Sequence, residues 1–158
     1  MKTVAALAAA LAFFFVTPSQ AGFSFNFLPS LITGKPSVTA EVSLAQQRMV
    51  LTVVDTTGLA KTYIWKVSTG AKGYRTPTGA WSPTWLSIDH KSKTYDNAPM
   101  PFAVFFKGGY AVHATQAVAK LGQPASHGCV RLAPANAAMF FDLVKTYGKS
   151  NSKIVITQ

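Results

Sequence analysis

Three runs, residues 38–43, 48–54 and 61–68, alternate between two sides with a period of two, and nothing else in the chain limits its fold as much. In the third run Tyr63, Trp65 and Val67 alternate with Thr62, Ile64 and Lys66. Successive side chains of an extended strand point to opposite faces, so this period places one set on a core and the other toward water. The turn residues Asp55-Thr56-Thr57-Gly58 between the second and third runs predict a hairpin. Further on, residues 102–106 are all apolar and read as a strand buried on both faces, with residues 110–113 as its partner across Lys107-Gly108-Gly109. Pro134 suits a first helical position, and Ala137, Phe140, Phe141 and Val144 recur at helical spacing until Gly148. Ala133 would then cap the helix without a side-chain acceptor. Residues 153–157 close the domain as a short strand.

Less regular stretches separate these elements. Residues 69–79, rich in glycine and threonine, read as a loop, and Pro83 interrupts the stretch 80–89, leaving a short edge strand from Thr84. The polar stretch 90–97 lacks periodicity and is expected to form a mobile flap. At 158 residues the length suits one domain with one core. The expectation is a mainly β fold of six to eight strands with one packed helix at about 134–147.

Lys2, thirteen apolar residues at 4–16 and then Thr17-Pro18-Ser19-Gln20-Ala21 have the order of a secretory signal peptide, with cleavage expected after Ala21. Thirteen residues fall short of the roughly 20 that span a bilayer, so no stable membrane insertion is expected after cleavage. Residues 22–37, with Phe23, Phe25 and Phe27, read as an irregular arm, and residues 38–158 as the domain proper. Of 15 Lys and Arg against 5 Asp and Glu, only Lys2 leaves with the leader, so 14 remain against 5, a balance of +9. Such a field suits an anionic partner, and export favours an envelope polymer over nucleic acid.

The sole cysteine, Cys129, follows Ser126-His127-Gly128, and twelve residues separate His113 from that motif. A thiolate is the useful form of the nucleophile, and an imidazole within reach can take the thiol proton. An unpaired cysteine in an oxidising compartment needs a reason, which catalysis supplies and an intermolecular disulfide would also supply. Spacing alone admits a small buried cysteine as well as a nucleophile, and either His113 or His127 as its base. The three could also ligate zinc, yet the chain has no Cys-x-x-Cys pair and no His-Glu-x-x-His helix.

The run from His113 through Ser126-His127-Gly128-Cys129-Val130-Arg131-Leu132 resembles the active-site signature of the L,D-transpeptidases, the YkuD-type domain. The likeness extends to Thr76-Pro77-Thr78-Gly79, Met100-Pro101-Phe102 and residues 108–113, and covers about residues 38–157; Ala114 departs from the glycine common in the family. It implies a distorted β-barrel or sandwich, Cys129 as nucleophile, His113 as base oriented by a backbone carbonyl such as that of Ala114, and His127 in support. Backbone amides of Gly128 and Cys129 would steady the oxyanion. Arg131, Ser126, Tyr74 and Thr76 are the candidate substrate contacts, Arg131 through a forked grip on a carboxylate. No cofactor or metal is implied. The implied reaction acylates Cys129 with the third residue of a tetrapeptide stem of peptidoglycan, expels D-alanine, and passes the acyl group on. A second stem, a lysine of an envelope protein or water could receive it, the last making an L,D-carboxypeptidase. A non-catalytic wall-binding domain would have no need of the intact motif, and the signatures of papain-like peptidases are missing.

Overall fold

The computed structural model describes residues 35–158, so the expected leader and most of the expected arm lie outside the described residues. Two sheets form the body. Strands β1 (Ser37–Ser43), β2 (Arg48–Val54), β3 (Ala60–Lys66), β4 (Gly79–Trp81) and β9 (Ser152–Thr157) make a five-stranded sheet in the order β3-β2-β1-β9-β4. Strands β5 (Trp85–Ser92), β6 (Ala98–Lys107), β7 (Tyr110–Ala114) and β8 (Val130–Leu132) make a four-stranded sheet in chain order. Neither sheet closes on itself, so the sandwich is the form taken and the barrel is not.

The alternation does what its period requires. Val38, Ala40 and Val42 of β1 and Met49, Leu51 and Val53 of β2 are buried, and Ile154 and Ile156 of β9 join them. From the other sheet Val104, Phe106, Val112 and Leu132 meet this layer. The helix α1 (Pro134–Tyr147) adds Ala137, Phe140, Phe141 and Val144, the residues picked out by spacing, and rests mainly on β6 and β7. Its N-cap is Ala133, with no side-chain hydrogen bond, as expected.

Three expectations are corrected. The third alternating run ends as a strand at Lys66, because residues 67–70 leave the first sheet and cross to the second. There Ser68 exchanges two backbone hydrogen bonds with Arg131, at 3.0 and 2.8 Å, and Gly70 bridges Ser126. Among the described residues the strand count is nine, since the three-residue strands β4 and β8 are too short to carry a period. The flap is a β-hairpin: His90–Ser92 belong to β5 and pair with β6 down to Ser92 opposite Ala98, and residues 93–97 make the turn. Pro99 and Pro101 sit in the part of β6 that pairs with β5 alone, since β7 pairs it only from Val104 onward.

Candidate active site

The thiol and the imidazole come from neighbouring strands of the second sheet. His113 lies in β7 and Cys129 stands just before β8, whose parallel register sets His113 beside Arg131. Both line a cleft of about 310 Å³ together with His127, Arg131, Met100 and Tyr95. A second hollow of about 360 Å³ shares Cys129, His127, Tyr95, Met100 and Ser92, and adds Trp85, Lys93 and Tyr110. The sulfur therefore stands where two chambers meet, beneath the hairpin β5–β6.

The His113 ring is 4% exposed, and its Nδ1 lies 2.7 Å from the carbonyl oxygen of Ala114. A carbonyl only accepts, so Nδ1 carries the proton of the neutral ring and Nε2 is left as the basic nitrogen. Burial pushes the His113 pKa down to about 4, while the Ala114 carbonyl works against that shift and the Arg131 and His90 charges add to it. Burial likewise raises the Cys129 thiol, opposed by the Ala111 amide and by Arg131. Uncharged imidazole and uncharged thiol are thus the resting pair near neutral pH. The Cys129 sulfur lies 3.8 Å from the Gly109 carbonyl oxygen.

The loop that carries the cysteine is held from beneath. Ser126 is fully buried; its hydroxyl donates to the Cys129 carbonyl at 2.6 Å and accepts from the Gly128 amide at 3.0 Å. Thr76 is 2% exposed; its hydroxyl donates to the Gly128 carbonyl at 2.8 Å and accepts from the Gly70 amide at 2.8 Å. Gly128 itself has φ +108°, and a Cβ there would stand 2.6 Å from Cε1 of Tyr110. Only glycine fits that turn.

The expected site residues fall in different places. Ser126 and Thr76 are buried beneath the loop, with their hydroxyls engaged by its backbone. Of the two amides expected to steady an oxyanion, that of Gly128 donates to the Ser126 hydroxyl. His127 is exposed, and residues 127–129 form a bend instead of an extended run, so alternation does not set its side relative to Cys129. Its ring is stacked on Tyr95 at 4.4 Å and met edge-on by Tyr74 at 4.4 Å. Tyr74 thus reaches the site through His127 and lines neither chamber. Arg131 lines the first cleft, where one guanidinium nitrogen donates to the Ala125 carbonyl at 3.0 Å. Tyr95 and Lys93 lie in the stretch expected to form the flap and carried no assignment from the sequence, whereas Trp81 and Trp85 drew notice there as core residues of which one could border the cleft, and Trp85 is the one that does.

Fold and site together define a two-sheet β domain whose second sheet carries one thiol and one buried imidazole into a shared cleft. A model of the YkuD family, the L,D-transpeptidase catalytic domain, matches residues 37–156. The chain belongs to that family. Among solved structures it is similar to an L,D-transpeptidase from Mycobacterium tuberculosis H37Rv at 18% identity and TM-score 0.66, over 78% of this chain and 58% of that one. An L,D-transpeptidase from Mycobacterium smegmatis gives 21% and 0.65, over 78% and 59%. One from Stackebrandtia nassauensis gives 26% and 0.64, over 85% and 62%. The chain thus spans about three fifths of the length of these structures. No curated protein matches it.

Proposed function

We propose that this protein is an exported L,D-transpeptidase of the cell envelope that uses Cys129 as nucleophile and His113 as base. The observation that carries this reading is the tautomer of His113: its Nδ1 proton is held by the Ala114 carbonyl, which leaves Nε2 free to accept a proton in the cleft that Cys129 shares. The thiol proton passes to His113 as the sulfur attacks the carbonyl of the third residue of a stem tetrapeptide. The tetrahedral oxyanion accepts a hydrogen bond from the Cys129 amide. The C–N bond to D-alanine breaks, His113 returns the proton to the leaving amine, and a thioester remains on Cys129. An acceptor amine then attacks the thioester, gives up a proton to His113 and forms a new amide, and the thiol is restored. Two chambers meeting at one sulfur give a donor strand and an acceptor separate room.

The test is intact mass after incubation with a carbapenem. A covalent adduct on the native protein that is lost in Cys129→Ser and in His113→Ala supports the reading. If His113→Ala still acylates while His127→Ala does not, the base is misassigned; if the native protein forms no adduct, the reading as a whole is lost. Incubation with stem tetrapeptides then separates transfer to an amine from transfer to water.

A further inference from the structure

Gln47 stands in the turn between β1 and β2, on the first sheet, and yet is 4% exposed and lies at φ +47°. A long polar side chain is seldom buried unless its amide is satisfied, and here it is satisfied on both ends. Its Nε2 donates to the Leu44 carbonyl at 2.8 Å and to the Thr69 hydroxyl at 2.6 Å, and its Oε1 accepts from the Thr69 amide at 2.9 Å. Its own carbonyl accepts from the Val67 amide at 2.9 Å. All but the first of these bonds fall on the segment that crosses from the first sheet to the second.

The next bonds run on toward the thiol. The Thr69 carbonyl accepts from the amides of Ala125 and Ser126, each at 2.9 Å, and the Ala71 amide donates to the Ser126 carbonyl at 2.9 Å. Ser126 in turn grips the Gly128 amide and the Cys129 carbonyl. Between Thr69 and Thr76 lies Gly70, where a Cβ would come within 1.7 Å of the Tyr74 carbonyl oxygen, so the crossing segment has no slack at this point.

We propose that Gln47 is a positioning residue for the acyl-transfer site: it fixes Thr69, Thr69 fixes Ser126, and Ser126 holds the Gly128 amide and the Cys129 carbonyl, the peptide planes that flank the one carrying the Cys129 amide, and so sets its aim. This rests on the reading of Cys129 as the acylated nucleophile. Acylation passes through an oxyanion that needs a well-aimed amide, whereas alkylation of the same sulfur by iodoacetamide, which expels iodide, does not. A residue that acts on backbone aim must therefore change the ratio of the two rates, and a residue that only adds stability must not.

The experiment compares carbapenem acylation and iodoacetamide alkylation of Cys129 by intact mass, well below the unfolding temperature of each variant. For Gln47→Ala the expected result is an acylation rate lowered by about tenfold or more, with alkylation within about twofold of the native rate. Combined with Ser126→Ala, the double variant should lose little more acylation than the worse single one, because both act through one path. An unchanged ratio in Gln47→Ala, or fully additive losses in the double variant, overturns the proposal. Should Gln47→Ala fail to fold, Thr69→Val removes the hydroxyl that Gln47 holds and leaves the Thr69 backbone in place; a fallen ratio upholds the proposal and an unchanged one overturns it. A native protein that is alkylated but never acylated would instead sink the transpeptidase reading on which the proposal stands.

Discussion

At the scale of single residues, the site depends on a histidine that stays uncharged. Burial brings His113 down to about 4 from the ordinary 6.5, so the folded protein releases this proton far more readily than the unfolded chain does. Between those two pH values the unfolded state holds more protons, and stability falls as the pH falls through this window. The gap corresponds to about 3 kcal/mol. Urea unfolding at pH 7 and pH 4 should therefore differ by more in the native protein than in His113→Gln, and equal differences would show that this ring is not the cause. The same displacement sets the acid limb of carbapenem acylation near pH 4, with little loss at pH 6; a limb near 6.5 would mean that the ring is more solvated than its burial implies. Gly128→Ala meets both a positive φ and the Tyr110 ring, and should lower stability by about 1–3 kcal/mol and acylation by about tenfold or more. Native-like unfolding and acylation in that variant would show that the turn can relax.

At the scale of elements, the helix α1 begins on a residue that cannot cap it. Ala133 has φ −59° and ψ 147°, an extended conformation from which a serine hydroxyl can reach the first free amides. Ala133→Ser is expected to raise the unfolding free energy by about 1 kcal/mol, seen as a higher urea midpoint at unchanged slope. That helix was legible from Pro134 to Gly148 because its signals are local: a proline, a 3.6-residue stripe and a glycine. The strands β1, β2, β6 and β7 were legible for the same reason, since each carries its own alternation or apolar run. The strands β4 and β8 were not, because three residues hold no period, and β4 pairs with the distant β9 while β8 pairs with β7 across a long irregular loop. His90–Ser92 reads as polar loop because its own side chains are polar and carry no apolar alternation, while the apolar partners of His90, Trp85 and Phe105, lie elsewhere in the chain. At the site, Cys129 and His113 stood out by chemistry and spacing, while the burial of Ser126 and Thr76 is a product of the crossing segment 67–76 beneath the loop. No local pattern announces that a small polar residue faces inward.

At the scale of the whole molecule, the proposed function requires an acyl donor to reach a sulfur that lines two chambers, and the basic balance of the chain bears on that approach. The chain carries 15 Lys and Arg against 5 Asp and Glu, with Lys93 lining one chamber and Arg131 the other. A polymer with many carboxylates interacts with this field over many charges at once, whereas a small β-lactam meets it with about one. Exposed charges are largely screened from each other beyond about 10 Å at 0.1 M salt and beyond about 3 Å at 1 M. Raising the salt from low to high should therefore slow turnover on isolated peptidoglycan several-fold, while acylation by a carbapenem changes by less than about twofold. The partly buried Arg131 is screened far less than surface lysines, so its contribution should persist in high salt. Replacing the exposed Lys72 of the loop 69–79 and Lys91 of β5, neither of which lines a chamber, together by glutamine should reproduce part of the salt effect on the polymer and leave the carbapenem rate nearly unchanged. If polymer and β-lactam lose rate in parallel as salt rises, the lysines serve solubility alone and the cleft recognises its donor by contact.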